Sequence, residues 1–521
     1  MAPPQVPDPT NPLTRFLRRP LMACVLAGAL AIAVRLLLLP VLPIPVPHIH
    51  DEFSYLLGAD TFASGRITNP PHPMWVHFET FHVNMQPTYH SKYMPAQSLF
   101  LAFGQVVFGH PWFGVCLAMG LMFAALCWML YGWVAPPYAV AATLLAMFEW
   151  GFTTYWINSY WGGVVPALGG ALVIGAVPRL ARRIELATLL AGITGAALLA
   201  NCRPYEGGLT VLSSCAVLLW WMRRQKRPLK LLLGWRVLLP VAAVAVPVVL
   251  AMGYYNYRTT GKATRLPYVV NQETYSASPH LYILPPTPIP VYRHESIRRL
   301  WVNWDRALYF AARHNPLAPW NSAAEEIKPF YLLNLLGLGA LAGLFFGKRS
   351  TVLAALGILS LPVLGVMLEK GYAPHYLAPM CGAWVILAAA GMEACGERRR
   401  GGRVVVVVVL GLALGGCVAG VIDAARTARH TPWGIATRPL LIANLERQEG
   451  RHLVIVRYTP KHRIHDEWVY NRADIDASDI VWAQDMGTDQ NRELLDYYRG
   501  RKIWLLQPDI DPLAITPYPP G

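Results

Sequence analysis

Long apolar runs broken by short polar or basic turns dominate the chain from Leu21 to about residue 423. The first run, Leu21 to Leu42, is followed by candidate spans near 112–133, 138–157, 162–178, 185–201, 208–222, 236–256, 328–346, 351–368, 374–392 and 404–423. Most approach the roughly 17 to 25 residues that carry a helix across a bilayer. The pattern predicts an all-α polytopic membrane protein of about 11 transmembrane helices. Pro95 to Phe108 is apolar but only fourteen residues long, and counting it as a span would invert every later loop. It reads as interfacial, or as the first part of a kinked element joined through Gly109-His110-Pro111.

Beyond residue 425 the pattern changes. His452-Leu-Val-Ile-Val-Arg457 and Lys502-Ile-Trp-Leu-Leu-Gln507 have the length and branching of buried strands, and Asn491 to Arg499 reads as a short helix. The expected division is a transmembrane domain over 1–425, with outer loops at about 45–111 and 258–326, and a small α/β domain over 426–521.

Charge fixes the threading. Only 14% of residues are charged and 54% are hydrophobic, against about a quarter charged in ordinary globular chains. The net charge of +15 arises largely in short loops between apolar runs, which excludes nucleic acid as the natural partner. With the N-terminus inside, the basic loops Arg179/Arg182/Arg183, Arg223/Arg224/Lys226/Arg227/Lys230, Lys348/Arg349 and Arg398/Arg399/Arg400/Arg403 all fall inside too. The first run follows Arg15, Arg18 and Arg19 and lacks a small-residue cleavage site, so it reads as an anchor. The tail then lies outside. All eight cysteines sit in or beside apolar spans with no metal-type spacing, which is the pattern of small packing residues.

The chemistry-bearing residues collect at the outer span ends. Asp51-Glu52-Phe53-Ser54-Tyr55 follows the first run, and the same loop carries His72, His77, Glu79, His82 and His90 before Ser91-Lys92-Tyr93-Met94-Pro95. Two adjacent acids there either cap a short helix on the membrane surface or perform chemistry on something presented from the lipid phase. In Asn201-Cys202-Arg203-Pro204-Tyr205-Glu206, Arg203 either forks around a phosphate or pairs with Glu206 to close a turn. Trp156 and Tyr160 form either an interfacial aromatic belt or a stacking surface for sugar. His375, in Tyr372-Ala-Pro-His375-Tyr376, is a further candidate for phosphate. Arg35 and Glu149 are the clear charges deep in spans, costly unless they meet polar partners.

At Asp51-Glu52-x-x-Tyr55, Lys92 shortly before Pro95, and Phe108-Gly109-x-x-x-Phe113-Gly114-Val115, the sequence resembles the GT-C superfamily of polytopic glycosyltransferases. The likeness is to the branch of protein O-mannosyltransferases and lipid A aminoarabinose transferases, in detail over about residues 20–135 and in architecture beyond. It implies an enzyme of the bacterial inner or plasma membrane, N-terminus cytoplasmic and C-terminal domain extracytoplasmic. Its partners would be membrane lipid, a polyprenyl-phosphate-linked sugar donor and an unidentified acceptor, with transfer by inversion. Asp51 would be the general base, with Glu52 beside it. Lys92, Arg203 and His375 would hold the donor phosphate, and Tyr55, Tyr93, Trp156, Tyr160, Tyr205 and Glu206 would line the substrate path. No cofactor is implied with certainty. A divalent metal is compatible with the acids and histidines, although no His-x-x-x-His pattern occurs. The rival readings are a flippase of lipid-linked sugars, using the same outer surface without a base, and a membrane scaffold acting through 426–521.

Overall fold

The computed structural model describes residues 17–398, 401–427 and 434–518. Arg15, Arg399 and Arg400, used above for orientation, lie outside them. Helix α1 (Pro20–Leu37) opens with proline at its first position, where the missing N–H costs nothing. Its Arg35 is fully enclosed. The guanidinium donates to Leu42 O at 2.9 Å and Asn158 Oδ1 at 3.0 Å, and lies 4.5 Å above the Trp112 ring. A charge that lipid would reject thus clamps the C-terminal end of the first span to the 151–163 turn.

Helix α2 (His50–Ala63) follows, then a two-stranded ribbon of β1 (Val83–Asn84) and β2 (His90–Ser91), then α3 (Pro95–Phe108). Gly58 lets α2 approach α3, since a Cβ there would lie 2.5 Å from Ser98 Oγ. Gly109, at φ +77°, ends α3 in the left-handed conformation before the span Trp112–Leu130 begins.

Seven helices are long and apolar enough to cross a membrane among the described residues, or eight if the pair Ala324–Leu332 and Leu335–Phe346, bent by 69°, counts as one broken span. The expected number was about 11. The remaining expected spans are helical but fall short in length or apolarity. Pro136–Trp150 and Leu186–Ala200 have 15 residues each, about 22 Å of rise against roughly 30 Å of hydrocarbon. Pro204–Arg224 carries Glu206, Thr210, Ser213 and Ser214 along its length. At the break in the bent pair, Asn334 caps Gly337 N–H at 2.8 Å and Glu149 accepts from Leu335 N–H at 3.3 Å. Glu149 therefore serves a helix end that its neighbours would otherwise leave open.

The C-terminal sheet has the order β4-β3-β5-β6, from β3 (His452–Val456), β4 (Ile480–Gln484), β5 (Lys502–Leu506) and β6 (Ile515–Pro517). β3 is parallel to both neighbours and buried at all five positions, as a central strand covered on both faces must be. The helix Thr488–Tyr497 makes the crossover from β4 to β5.

This module docks on α2 and the first outer loop, and the two share one core that includes Phe53, Leu57, Phe78, Trp468, Tyr470 and Trp482. Phe53 stacks on Tyr470 at 4.3 Å. Asp60 accepts from Ala473 N–H at 2.8 Å and pairs with Arg472 at 3.0 Å. The second outer loop is fastened by Lys370, which meets Asp305 at 2.7 Å and Ser278 Oγ at 3.0 Å. Phe53→Ala removes the stacked ring at the seam and is expected to destabilise the docked module by about 3–5 kcal/mol. Limited proteolysis should then release a C-terminal fragment from the variant under conditions where the wild type stays intact.

Candidate functional site

Asp51 lies at the start of α2, one residue outward from Glu52. The two carboxylates have different surroundings. Glu52 is fully buried, and its oxygens accept from the backbone N–H groups of His48 at 3.1 Å, Ile49 at 3.3 Å and Tyr160 at 3.0 Å. It positions α2 against the 151–163 turn and has no face toward open space. Asp51 retains 16% side-chain exposure and takes its partners from side chains. Tyr93 OH donates to Oδ1, His50 Nδ1 lies 2.8 Å from Oδ2, and His82 Nε2 lies 3.8 Å from the same oxygen.

A second layer surrounds this acid. Lys92 Nζ lies 2.6 Å from His82 Nδ1 and above the rings of Tyr93 and Trp301, at 5.0 and 5.7 Å. Tyr55 stacks on Tyr93 at 4.2 Å, and Tyr268 closes edge-on at 5.6 Å. From the C-terminal module, His465 Nδ1 reaches His50 Nε2 at 3.0 Å, while its ring meets Trp304 of the second outer loop at 5.1 Å. Three separate segments therefore close around one carboxylate.

The electrostatics follow from the packing. Burial alone would raise the Asp51 pKa, but His82, His50 and Lys92 outweigh it and hold the acid well below its ordinary range, so it stays ionised. Burial and the Lys92 charge push His82 far down, against the opposing charge of Asp51. Burial lowers Lys92 itself to about 8, against the partial support of Asp51 and Asp305.

Arg203 stands close enough to Tyr55, Tyr268 and Tyr376 to act on them electrostatically, and it stacks above Tyr376 at 4.7 Å. It pairs with Glu206 at 3.2 Å, its one hydrogen-bond acceptor among the described residues. The fields of Arg203 and Asp51 both reach His375, whose Nδ1 meets Tyr155 OH at 2.9 Å. Of the residues expected from sequence, Asp51, Tyr55, Lys92, Tyr93, Arg203, Glu206 and His375 are therefore neighbours.

The others belong to the frame. Trp156 is 1% exposed and packed against Trp150, Phe330 and Gly163, so its ring has no free face for sugar. Tyr160 is equally enclosed and donates to Pro45 O at 2.7 Å. Tyr205 donates to Gly365 O at 3.0 Å on a neighbouring helix. His50, His82, Tyr268, Trp301 and His465 were not assigned to the site from sequence. His50 adjoins the acid and His82 precedes Lys92 by ten positions, so proximity along the chain was the available signal. His465 lies 415 positions from His50 and offered none.

His50, Asp51 and His82 bring three ligand atoms within 4.8 Å of one another, a set compatible with a divalent cation. The fit is conditional. Lys92 donates to His82 Nδ1, which leaves the ring proton on the Nε2 facing Asp51, and that nitrogen cannot ligate until Lys92 withdraws.

No protein-family model and no curated protein matches the sequence. Solved structures do match. ArnT from Cupriavidus metallidurans in the apo state aligns over 92% of this chain and 93% of its own, at 11% identity and a TM-score of 0.51. The same protein bound to undecaprenyl phosphate aligns over the same shares at 12% identity and 0.50. The Archaeoglobus fulgidus oligosaccharyltransferase aligns at 12% identity and 0.43, and this chain spans 62% of its length. The likeness is one of fold: the chain folds like ArnT over nearly the whole length of both proteins.

Anion binding beside Lys92 should weaken as the pH rises from about 7 to about 9, because the free lysine loses its charge through a pKa of about 8. Lys92→Arg stays charged and should flatten that profile. Titration of the purified protein with a soluble phosphate monoester reads both, and a pH-independent wild type would remove Lys92 from the anion site.

Proposed function

We propose that this chain is an integral membrane glycosyltransferase that moves a sugar from a polyprenyl-phosphate donor to an acceptor hydroxyl on the outer face of a bacterial plasma membrane, with inversion. The observation that carries this reading is an ionised, partly open Asp51 with two cations, Lys92 and Arg203, in the same enclosure. The likeness in fold to ArnT, one structure of which holds undecaprenyl phosphate, supports a lipid-phosphate donor.

The acceptor oxygen attacks the anomeric carbon from the face opposite the phosphate. The new C–O bond forms as the bond to the phosphate oxygen breaks, and the acceptor proton passes to the Asp51 carboxylate. A carboxylate of low pKa is a weak base toward a ground-state alcohol. The hydroxyl becomes acidic only as its oxygen bonds to carbon, and by then an ionised acceptor of the proton must already be in place. The leaving polyprenyl phosphate gains charge at that moment, and Lys92 and Arg203 offset it. Arg203 offers a planar fork that Lys92 does not, while His375 completes the anionic side. Tyr55 and Tyr93 supply aromatic faces along the path, and Glu206 orients Arg203. A divalent ion held by His50, Asp51 and His82 would supply further charge stabilisation when bound.

Asp51→Asn is nearly isosteric and removes proton acceptance. Transfer should fall by roughly 100- to 10,000-fold while donor binding persists. If Asp51 merely capped α2, asparagine would serve about as well, and near-normal turnover in the purified variant would overturn the assignment.

The outward orientation is tested separately. A reporter active only outside the cytoplasm should be active after Gly521 and silent after Gln225; the reverse pattern would invert the threading and move the site to the other face.

A further inference from the structure

The C-terminal module carries a second polar site that transfer does not use. Its parallel strands run β3 to β4 on one side and then cross to β5 on the other, so the order reverses between β3 and β5. In open α/β sheets ligands bind outside the carboxyl ends of the strands at such a switch point. Here those ends lead into Tyr458 to His462 after β3 and Pro508-Asp509 after β5. Two adjoining clefts open there, of about 230 and 260 Å³, with Thr459 and His462 in both walls.

His462 is 4% exposed. Its Nδ1 donates to Asp509 Oδ1 at 2.6 Å, and Asp509 also accepts from Thr459 N–H at 2.7 Å, which fixes the loop after β3 to the loop after β5. The Tyr458 ring stacks on the imidazole at 3.9 Å. The other ring nitrogen, Nε2, is buried and has no partner. Trp468, in the wall of the larger cleft, has a buried Nε1–H that is likewise unpartnered. An unpartnered ring nitrogen and an unpartnered indole N–H suit a group able both to accept and to donate, which is a hydroxyl.

Water could fill that role, but the rim asks for more. Lys461 and Arg463 flank His462, and Arg299 lines the smaller cleft from the second outer loop. Lys461 and Arg299 have no ion-pair partner among the described residues, while Arg463 reaches only Asp466 at 3.6 Å. The acids in the walls are already engaged, Glu295 by Arg298, Asp466 by Arg463 and Asp509 by His462. Lys461 and Arg299 thus remain as cations without an ion pair among the described residues, and beside a buried hydroxyl-type site they describe a small hydroxylated anion.

We infer that this cleft binds a monosaccharide-sized ligand carrying a phosphate or a carboxylate. Nothing in the inference requires transfer chemistry, so it stands or falls apart from the role of Asp51. One residue separates the cleft from the surroundings of Asp51, since Ile464 lines the smaller cleft and the next residue, His465, meets His50.

Calorimetric titration of the full-length protein in detergent with glucose 6-phosphate, glucuronate, glucose and inorganic phosphate tests it. At least one of the two charged sugars should bind, and the tighter identifies the anion. Lys461→Ala/Arg299→Ala, which disturbs no ion pair, should weaken that binding about tenfold, and His462→Phe, which keeps the stack on Tyr458, should weaken it at least as much. Binding of neither charged sugar by the wild type would overturn the inference. So would equal affinity for glucose, which removes the need for charge, or equal affinity for inorganic phosphate, which removes the need for hydroxyls. Unchanged affinity in both variants would place any ligand elsewhere.

Discussion

A carboxylate can be buried only if donors satisfy it, and Glu52, held by three backbone N–H groups with the His48 ring 3.5 Å away, is the case on which this site rests. Its partners come from the segment entering α2 and from Tyr160, 108 positions away. Those three hydrogen bonds fix the rotation of α2 about its axis. With Glu52 turned inward, the preceding residue must face outward, and Asp51 is presented to the enclosure with no freedom to exchange places. Arg35 reinforces the same turn through Asn158, so the C-terminal end of the first span and the start of α2 are held to one scaffold.

Around that scaffold the chain separates charge from packing. The aromatic residues of the 151–163 turn fill the interior, whereas the tyrosines gathered around Asp51 and Arg203, Tyr55, Tyr93, Tyr268 and Tyr376, come from other segments. Neither cation pairs directly with the acid, since Lys92 meets His82 and Tyr93 before Asp51, and Arg203 is taken up by Glu206 and Tyr376. An enclosure that retained a direct Lys–Asp pair would have neutralised both partners before any substrate arrived.

Local signals carried most of what was legible in the sequence. Asp51, Lys92 and Arg203 stand out because each is a polar residue at a span end, within a short recognisable stretch. The strands at His452 and Lys502 were legible from continuous β-branched and apolar character, whereas β4, Ile480-Val-Trp-Ala-Gln484, is set among acids that mask its short apolar run. Trp156 and Tyr160 show the limit of composition, because an aromatic at an outer turn looks the same whether it faces lipid, ligand or another helix. The span count met the same limit. Pro136–Trp150 and Leu186–Ala200 lie within apolar runs long enough to read as spans, but each forms a helix of only 15 residues. Long-range contacts such as His50 to His465 leave no trace in local pattern at all.

The contact between His50 and His465 also sets a timetable. The two residues are 415 positions apart, and at ribosomal rates of about 5–20 residues per second the later one emerges roughly 20 to 80 seconds after the first. Through that interval the acid, its neighbouring histidine and the first outer loop are already in position while one wall of the enclosure does not yet exist. The enclosure is completed only when every span has been inserted and the last module has folded against α2. A truncated or mis-threaded chain thus keeps the Asp51 carboxylate in an unfinished chamber, and completion of synthesis becomes a structural condition for a closed site.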